Sequence, residues 1–174
     1  MNLLALWLTG ASFVSGVTPP AHPGALPEQF AAYRTWHTLT ERPYPVPPDL
    51  AIMCAHPPVH LTADQLREHG PHSMRYIRIF ANEAARNAFG QRASKPFPPG
   101  SVIVKEKLLS PVAVTHSGIG VMVKRQAGYD PAAGDWQFLY VPEGSVTANA
   151  TASVCTDCHR AKHAEDFVFG SYAK

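Results

Sequence analysis

The pattern of apolar and polar residues predicts two helices in the first part of the chain. Residues 28–38 place four large side chains on one side at helical spacing, namely Phe30, Tyr33, Arg34 and His37. Residues 62–65 match a capping box, and Gly70 can end the helix that this box begins. Both helices are expected before the sheet.

Residues that favour β-structure dominate the rest of the chain. Strands are predicted at 74–80, 101–109, 118–124 and 136–141. Asn82 is the expected cap of a helix that runs through Phe89. Because loops join the later strands, these should form an antiparallel meander. The expected fold class is α+β, mainly an antiparallel β-sheet with flanking helices and a separate C-terminal segment.

Alternation assigns the two faces of the strand at 101–109. One face carries Ile103, Lys105, Lys107 and Leu109, and the other carries Val102, Val104, Glu106 and Leu108. Lys-Glu-Lys at the end of an apolar run is typical of a strand that emerges into solvent. In the last strand, Trp136, Phe138 and Tyr140 should share one face.

The length of 174 residues suits one domain with a core. Residues 1–16 form an apolar stretch that ends in small residues, which is typical of an export signal, although the usual basic start is missing. A buried terminal helix is the alternative, since a membrane span needs about 20 apolar residues. We therefore expect a signal peptide at 1–16, a disordered leader at 17–27 and one domain at 28–174.

The charge of the chain limits its partners. Charged residues make up 16% of the sequence and the formal net charge is +2, so composition indicates neither a nucleic-acid surface nor an acidic tail. A small-molecule partner is expected, with no nucleic acid and no membrane attachment in the mature form.

Two of the three cysteines lie in the motif Cys155-Thr156-Asp157-Cys158-His159. Thiols at this spacing can add to both vinyl groups of one haem, and a histidine directly after them can reach the iron. A thioredoxin-like dithiol would need a βαβ context, and a structural zinc site would need a second ligand pair, neither of which is recognisable. The motif predicts one covalent haem c, with His159 as an axial ligand of the iron, in a C-terminal haem-binding segment.

Export agrees with this prediction, because covalent haem attachment normally takes place outside the cytoplasmic membrane. A bacterial periplasmic or otherwise exported location is therefore expected. The remaining Cys54 lies in an apolar neighbourhood that is typical of a buried, inert thiol.

Several further motifs occur in an order that resembles the cytochrome P-460 family. They are SVIVKE at 101–106, GYDPAAGDWQF at 128–138, CTDCH at 155–159 and DFVF at 166–169. The resemblance begins near Gly70-Pro71-His72, includes Phe80-Ala81-Asn82 and covers over half of the chain. CTDCH alone is unspecific, whereas the order of all the motifs is specific.

The resemblance implies a mainly antiparallel β-fold, usually in a homodimer, with one haem whose iron has histidine on one side and an open site on the other. Members oxidise hydroxylamine or bind nitric oxide. In the enzymes that give the family its name, a lysine also bonds to a meso carbon of the haem, and Lys105 occupies that place here. Relatives of the cytochrome c′-beta type share the fold without this cross-link, so both states of Lys105 stay open.

A sixth iron ligand would instead indicate an electron-transfer cytochrome. The candidates are Met53, Met74, Met122, His72, His116 and His163. None has a spacing that singles it out; Met122 lies in an apolar run typical of strand packing. His72, just before the first predicted strand, is the one to look for near the haem.

The distal chemistry also depends on a proton acceptor. Relatives that oxidise hydroxylamine use a carboxylate from the segment before the haem motif as a proton relay. The corresponding residues 146–154 contain no acid, which favours nitric oxide binding or a weaker oxidation. Other polar groups near this region in sequence are Glu143 and Asp157, and the first strand offers Arg75 and Arg78, for which a surface position is the default.

Three functions follow from these observations. The first is an exported mono-haem protein that oxidises hydroxylamine or captures nitric oxide at an open iron site and passes electrons to an external acceptor. The second is a mono-haem electron carrier. The third is a gas-binding or sensor module without turnover.

Overall fold

The computed structural model describes residues 30–46, 76–90, 96–142 and 152–170. Within these ranges, one antiparallel sheet contains six strands. They are β1 (His37–Thr38), β2 (Tyr44–Pro45), β3 (Tyr76–Ala81), β4 (Val102–Leu108), β5 (Gly118–Lys124) and β6 (Trp136–Pro142). The predicted signal peptide, Cys54 and the predicted helix at 62–70 lie outside the described residues.

Strands β3 to β6 form a meander in chain order, and β1 and β2 both pair with the outer side of β3. The register aligns Ile79, Lys105, Gly120 and Tyr140 across the four long strands. The predicted α+β fold with a mainly antiparallel sheet is confirmed.

Two short α-helices accompany the sheet in the described ranges. Helix α1 (Glu83–Phe89) begins at Asn82, whose side chain accepts a hydrogen bond of 3.0 Å from the backbone N–H of Ala85, as predicted. Helix α2 (Ala152–His159) continues into a 3-10 helix at Arg160–Glu165. Within the described ranges, helices are too short to be membrane-spanning segments.

The helix predicted over 28–38 is wrong in its described part. The described residues form a 3-10 conformation at Phe30, a turn and a 3-10 helix at Tyr33–Thr35, and the chain then enters β1, which pairs with β3. The side chains of Tyr33 and Arg34 both bind a carboxylate on β4, and these long-range contacts decide the local conformation against the helical pattern.

Both faces of the sheet are covered. One face, here called the His159 face, carries Ile79, Ile103, Lys105 and Phe138, and its core also includes Trp136 from β6 and Ala85 from α1. The opposite face, here called the Glu106 face, carries a second core with these members: Phe30, Tyr33, Phe80, Val104, Ile119 and Val121. The C-terminal segment packs on the first face, and the segment from Phe30 packs on the second.

Glu106 is fully buried, so the prediction that Lys-Glu-Lys emerges into solvent is wrong. Its Oε1 accepts hydrogen bonds from the Tyr33 hydroxyl at 2.6 Å and from Arg34 Nε at 2.7 Å, and Arg78 lies 3.4 Å from Oε2. Burial, followed by the hydrogen bond to Glu106, raises the pKa of Tyr33 and keeps the phenol neutral. Arg34 and Arg78 compensate the negative charge of the buried carboxylate. Through Tyr33 and Arg34, the carboxylate anchors the first described segment to the sheet.

Replacing Glu106 with glutamine should lower the free energy of unfolding by about 2 kcal/mol, because a neutral amide accepts weaker hydrogen bonds than a carboxylate. Chemical denaturation measures the change. Glu165→Gln is the matched control, because the Lys162–Glu165 pair is partly exposed and 3.5 Å long. Its effect should stay within about 0.5 kcal/mol, and equal losses in the two variants would contradict this account of Glu106.

Candidate functional site

Helix α2 brings the three residues of the predicted haem motif together. Cys155, Cys158 and His159 stand at positions i, i+3 and i+4, which lie on one side of a helix. Cys158 is 7% exposed, and Cys155 is partly buried against the core of the His159 face. Asp157 lies on the exposed side of the helix, where it pairs with Arg160 at 3.9 Å.

The imidazole of His159 lies between two aromatic rings. The ring of Phe138 is 5.0 Å away and that of Phe169 is 5.1 Å away, measured between centroids. Burial lowers the pKa of His159 to about 4, against the opposing effect of a backbone hydrogen bond, and the positive charge of Lys105 lowers it further. The ring is therefore neutral near pH 7, which is the form that binds a metal.

One backbone contact determines which nitrogen of this ring is available. His159 Nδ1 lies 2.6 Å from the carbonyl oxygen of Phe167. Because a carbonyl can only accept, Nδ1 carries the proton and donates it, and the lone pair of the neutral ring is on Nε2. A histidine that ligates a metal is commonly oriented in this way.

The position of Phe167 depends on a glycine from another motif. Gly134 has a φ of +64°, and a Cβ at this position would lie 2.5 Å from Cδ2 of Phe167. Only glycine allows both this backbone conformation and this approach of the phenyl ring. The GYDPAAGDWQF and DFVF motifs are distant in sequence, but they are in contact next to His159.

Lys105 stands on the same face of β4 as Ile103, as the alternation predicts, and the structure places His159 on this face of the sheet. It pairs with Gly120 of β5, and a Cβ on that glycine would lie 3.5 Å from Cε of Lys105. The lysine side chain thus runs across β5, and its charge is close enough to influence the imidazole of His159. The structure brings Lys105 to the same site as the haem motif.

Sequence reasoning assigned Lys107 to this face but missed that this second lysine is buried at the site. Lys107 is 3% exposed, and its Nζ donates a hydrogen bond of 2.7 Å to the Tyr140 hydroxyl. Gly118 makes room for Tyr140, since a Cβ there would lie 2.7 Å from the hydroxyl oxygen. Burial raises the pKa of Tyr140 and keeps it protonated. The sequence feature that could have indicated the two lysines is a pair of glycines. Gly120 and Gly118 of β5 lie opposite Lys105 and Lys107 of β4.

The other candidates occupy different places. Met122 packs partly buried against the core of the His159 face, and His163 is exposed with Nδ1 3.2 Å from the Arg160 carbonyl. His116 is partly buried in the loop between β4 and β5. Arg78 is on the Glu106 face and does not join this site. The candidates outside the described residues are Met53, Met74, His72, Arg75, Glu143 and the segment 146–151.

Cys155, Cys158 and His159 carry the donor atoms that a covalently bound haem requires. A helix presents two thiols and a neutral imidazole whose Nε2 lone pair can bind iron, above one face of an antiparallel sheet. Fold and site together define a haem-binding cytochrome.

Comparison with known proteins gives the family. The family model described as Cytochrome P460 matches residues 59–170, which is more than half of the chain. The chain therefore belongs to the cytochrome P-460 family and binds haem, and the resemblance of the motifs is confirmed. A search of curated proteins finds no match.

Proposed function

We propose that this chain is an exported protein with one covalently bound haem c and an open distal iron site that acts on small nitrogen species. The observation that carries the proposal is the hydrogen bond from His159 Nδ1 to the Phe167 carbonyl, beside two thiols at haem spacing. It supports His159 Nε2 as a ligand of the iron, and the open site on the opposite side is proposed from the resemblance to the family.

Cys155 and Cys158 are proposed to hold the haem through thioether bonds. Each S–H adds across one vinyl double bond, so that sulfur bonds to one carbon and the hydrogen goes to the other. This addition needs no oxidant. The single CxxCH motif of the chain supports one haem.

Lys105 is proposed to form a further bond from Nζ to a meso carbon of the haem. That bond replaces one N–H and one meso C–H, so two protons and two electrons leave. A two-electron oxidant such as a peroxide is therefore required. The proximity of Lys105 to His159 on one face of the sheet supports the link.

An open ferric site suits hydroxylamine or nitric oxide as the ligand. Oxidation of hydroxylamine releases protons together with electrons, so it needs a base near the iron and an external electron acceptor. The absence of acidic residues from 146–154 favours nitric oxide capture over fast oxidation.

Purified holoprotein tests this function directly. The proposal expects a high-spin, five-coordinate ferric spectrum, a spectral change on titration with nitric oxide, and slow hydroxylamine turnover with an artificial electron acceptor. A low-spin, six-coordinate ferric iron that takes up no nitric oxide would instead establish an electron carrier. Uptake of nitric oxide without turnover of hydroxylamine would identify a gas-binding or sensor module.

The setting of the protein is also proposed from the sequence. We propose a periplasmic or otherwise exported location for a mature form free of the membrane, and a homodimer as in related proteins. Cell fractionation tests the location, and light scattering on the purified protein tests the dimer.

A further inference from the structure

Lys124 is a buried lysine on β5 with no part in the chemistry described so far. It is 8% exposed, and its Nζ donates to both carboxylate oxygens of Asp166 at 2.6 and 2.8 Å and to the Gly134 carbonyl at 2.8 Å. The ammonium group can donate three hydrogen bonds, so these contacts satisfy it. The bonds join β5 to the segment that follows the haem motif.

Asp166 also accepts two hydrogen bonds from other parts of the fold. Its Oδ2 accepts from the backbone N–H of Phe97 at 2.8 Å, and its backbone carbonyl accepts from Trp136 Nε1 at 2.8 Å. These contacts come from separate parts of the fold and converge on a single residue. They restrain both its side chain and its backbone.

The backbone at this point needs such restraint. Asp166 and Phe167 have φ angles of 53° and 64°, so two consecutive residues other than glycine are in the left-handed region. Such conformations are unfavourable for residues with a Cβ and persist only where the surroundings hold them. This turn leaves the Phe167 carbonyl 2.6 Å from Nδ1 of His159.

We propose that Lys124 and Asp166 are positioning residues for His159. Their ion pair holds the left-handed turn that places the Phe167 carbonyl against the imidazole, and this contact sets how strongly the ring donates electrons to iron. The inference rests on the proposed function, since it requires His159 to be an iron ligand.

The direction of the effect follows from the hydrogen bond. A carbonyl that accepts from Nδ1–H makes the imidazole a stronger donor and stabilises ferric iron over ferrous iron. If the carbonyl moves away, the iron–histidine bond weakens and the reduction potential of the haem rises. The iron–histidine stretching frequency of the ferrous protein should fall at the same time.

Asp166→Asn in the holoprotein tests the proposal, because asparagine tolerates the left-handed conformation but carries no charge to bind Lys124. Redox titration and resonance Raman spectroscopy should show a higher potential and a lower iron–histidine frequency than in the wild type. Glu165→Gln is the matched control, since it removes the neighbouring, partly exposed carboxylate, and should change neither value. An unchanged Asp166→Asn variant would overturn the proposal.

A second pair of variants separates positioning from general stability. Lys124→Met should shift both values in the same direction as Asp166→Asn. Val121→Ala removes volume from the core of the Glu106 face, where Val121 is 1% exposed, and should lower stability without moving either value. Equal shifts in the Val121 variant would mean that lost stability causes the effect, and the proposal would fall.

The outcomes also distinguish this inference from the function on which it rests. If the wild-type ferrous protein shows no iron–histidine band, the ferrous iron is not a five-coordinate histidine complex, and the proposed open iron site fails. If the band is present and Asp166→Asn leaves it in place, only the positioning role fails.

Discussion

In a Lys105→Leu background, which removes the proposed lysine link, a variant in which serine replaces both Cys155 and Cys158 should carry no haem that survives denaturation. Serine has the shape of cysteine, but its hydroxyl does not add to a vinyl group as a thiol does. Haem staining of a denaturing gel should therefore lose its signal completely, and acid acetone should extract any haem that is still bound. Each single variant should keep one thioether bond and shift the absorption of the ferrous pyridine complex.

Cys54→Ser is the control for this experiment, because it removes the third cysteine of the chain and lies outside the haem motif. Its haem stain should equal that of the wild type. A stain that survives in the double serine variant of the Lys105→Leu background would show that still other residues attach the haem, and it would contradict the proposed roles of Cys155 and Cys158.

Lys105→Leu should remove a second covalent link to the haem. In a protease digest of the wild type, mass spectrometry should find the haem on a peptide with Cys155 and Cys158 and also on one with Lys105. The variant should lose the Lys105 peptide completely and change its visible spectrum, because a nitrogen substituent at a meso carbon alters the π-system of the ring.

Lys107→Met is the matched control, since Lys107 projects from the same face of β4 two residues away. It breaks the hydrogen bond to Tyr140 and should leave the cross-link in place. A wild-type digest in which haem travels only with the 155–159 peptide would show that Lys105 forms no bond, as in the cytochrome c′-beta type.

The sequence predicted the long strands because their apolar residues alternate or run continuously, and β3 to β6 pair as a simple meander. It failed at Glu106, where nothing local shows that the carboxylate is buried. Its partners Tyr33 and Arg34 lie 73 and 72 residues away along the chain. The same distant pairing led to the wrong helix at 28–38, since a helical pattern was read without its tertiary contacts.

The residues of the candidate site also differ in whether the sequence could predict them. Cys155, Cys158 and His159 form a local motif, so their chemistry could be predicted without a structure. The carbonyl of Phe167 is a backbone group that leaves no mark in the sequence, and Lys124 is 42 residues away from Asp166. Contacts of this kind depend on the folded chain and on left-handed backbone conformations. Neither can be predicted from residue types alone.

The contact between Gly134 and Phe167 also limits how such a sequence can diverge. A side chain at 134 would enter space that the phenyl ring already fills, so a change there needs a smaller residue at 167 as well as a residue that tolerates the left-handed backbone. In related sequences, substitutions at positions 134 and 167 should therefore occur together. A lineage that keeps the aromatic residue after Asp166 should keep the glycine as well.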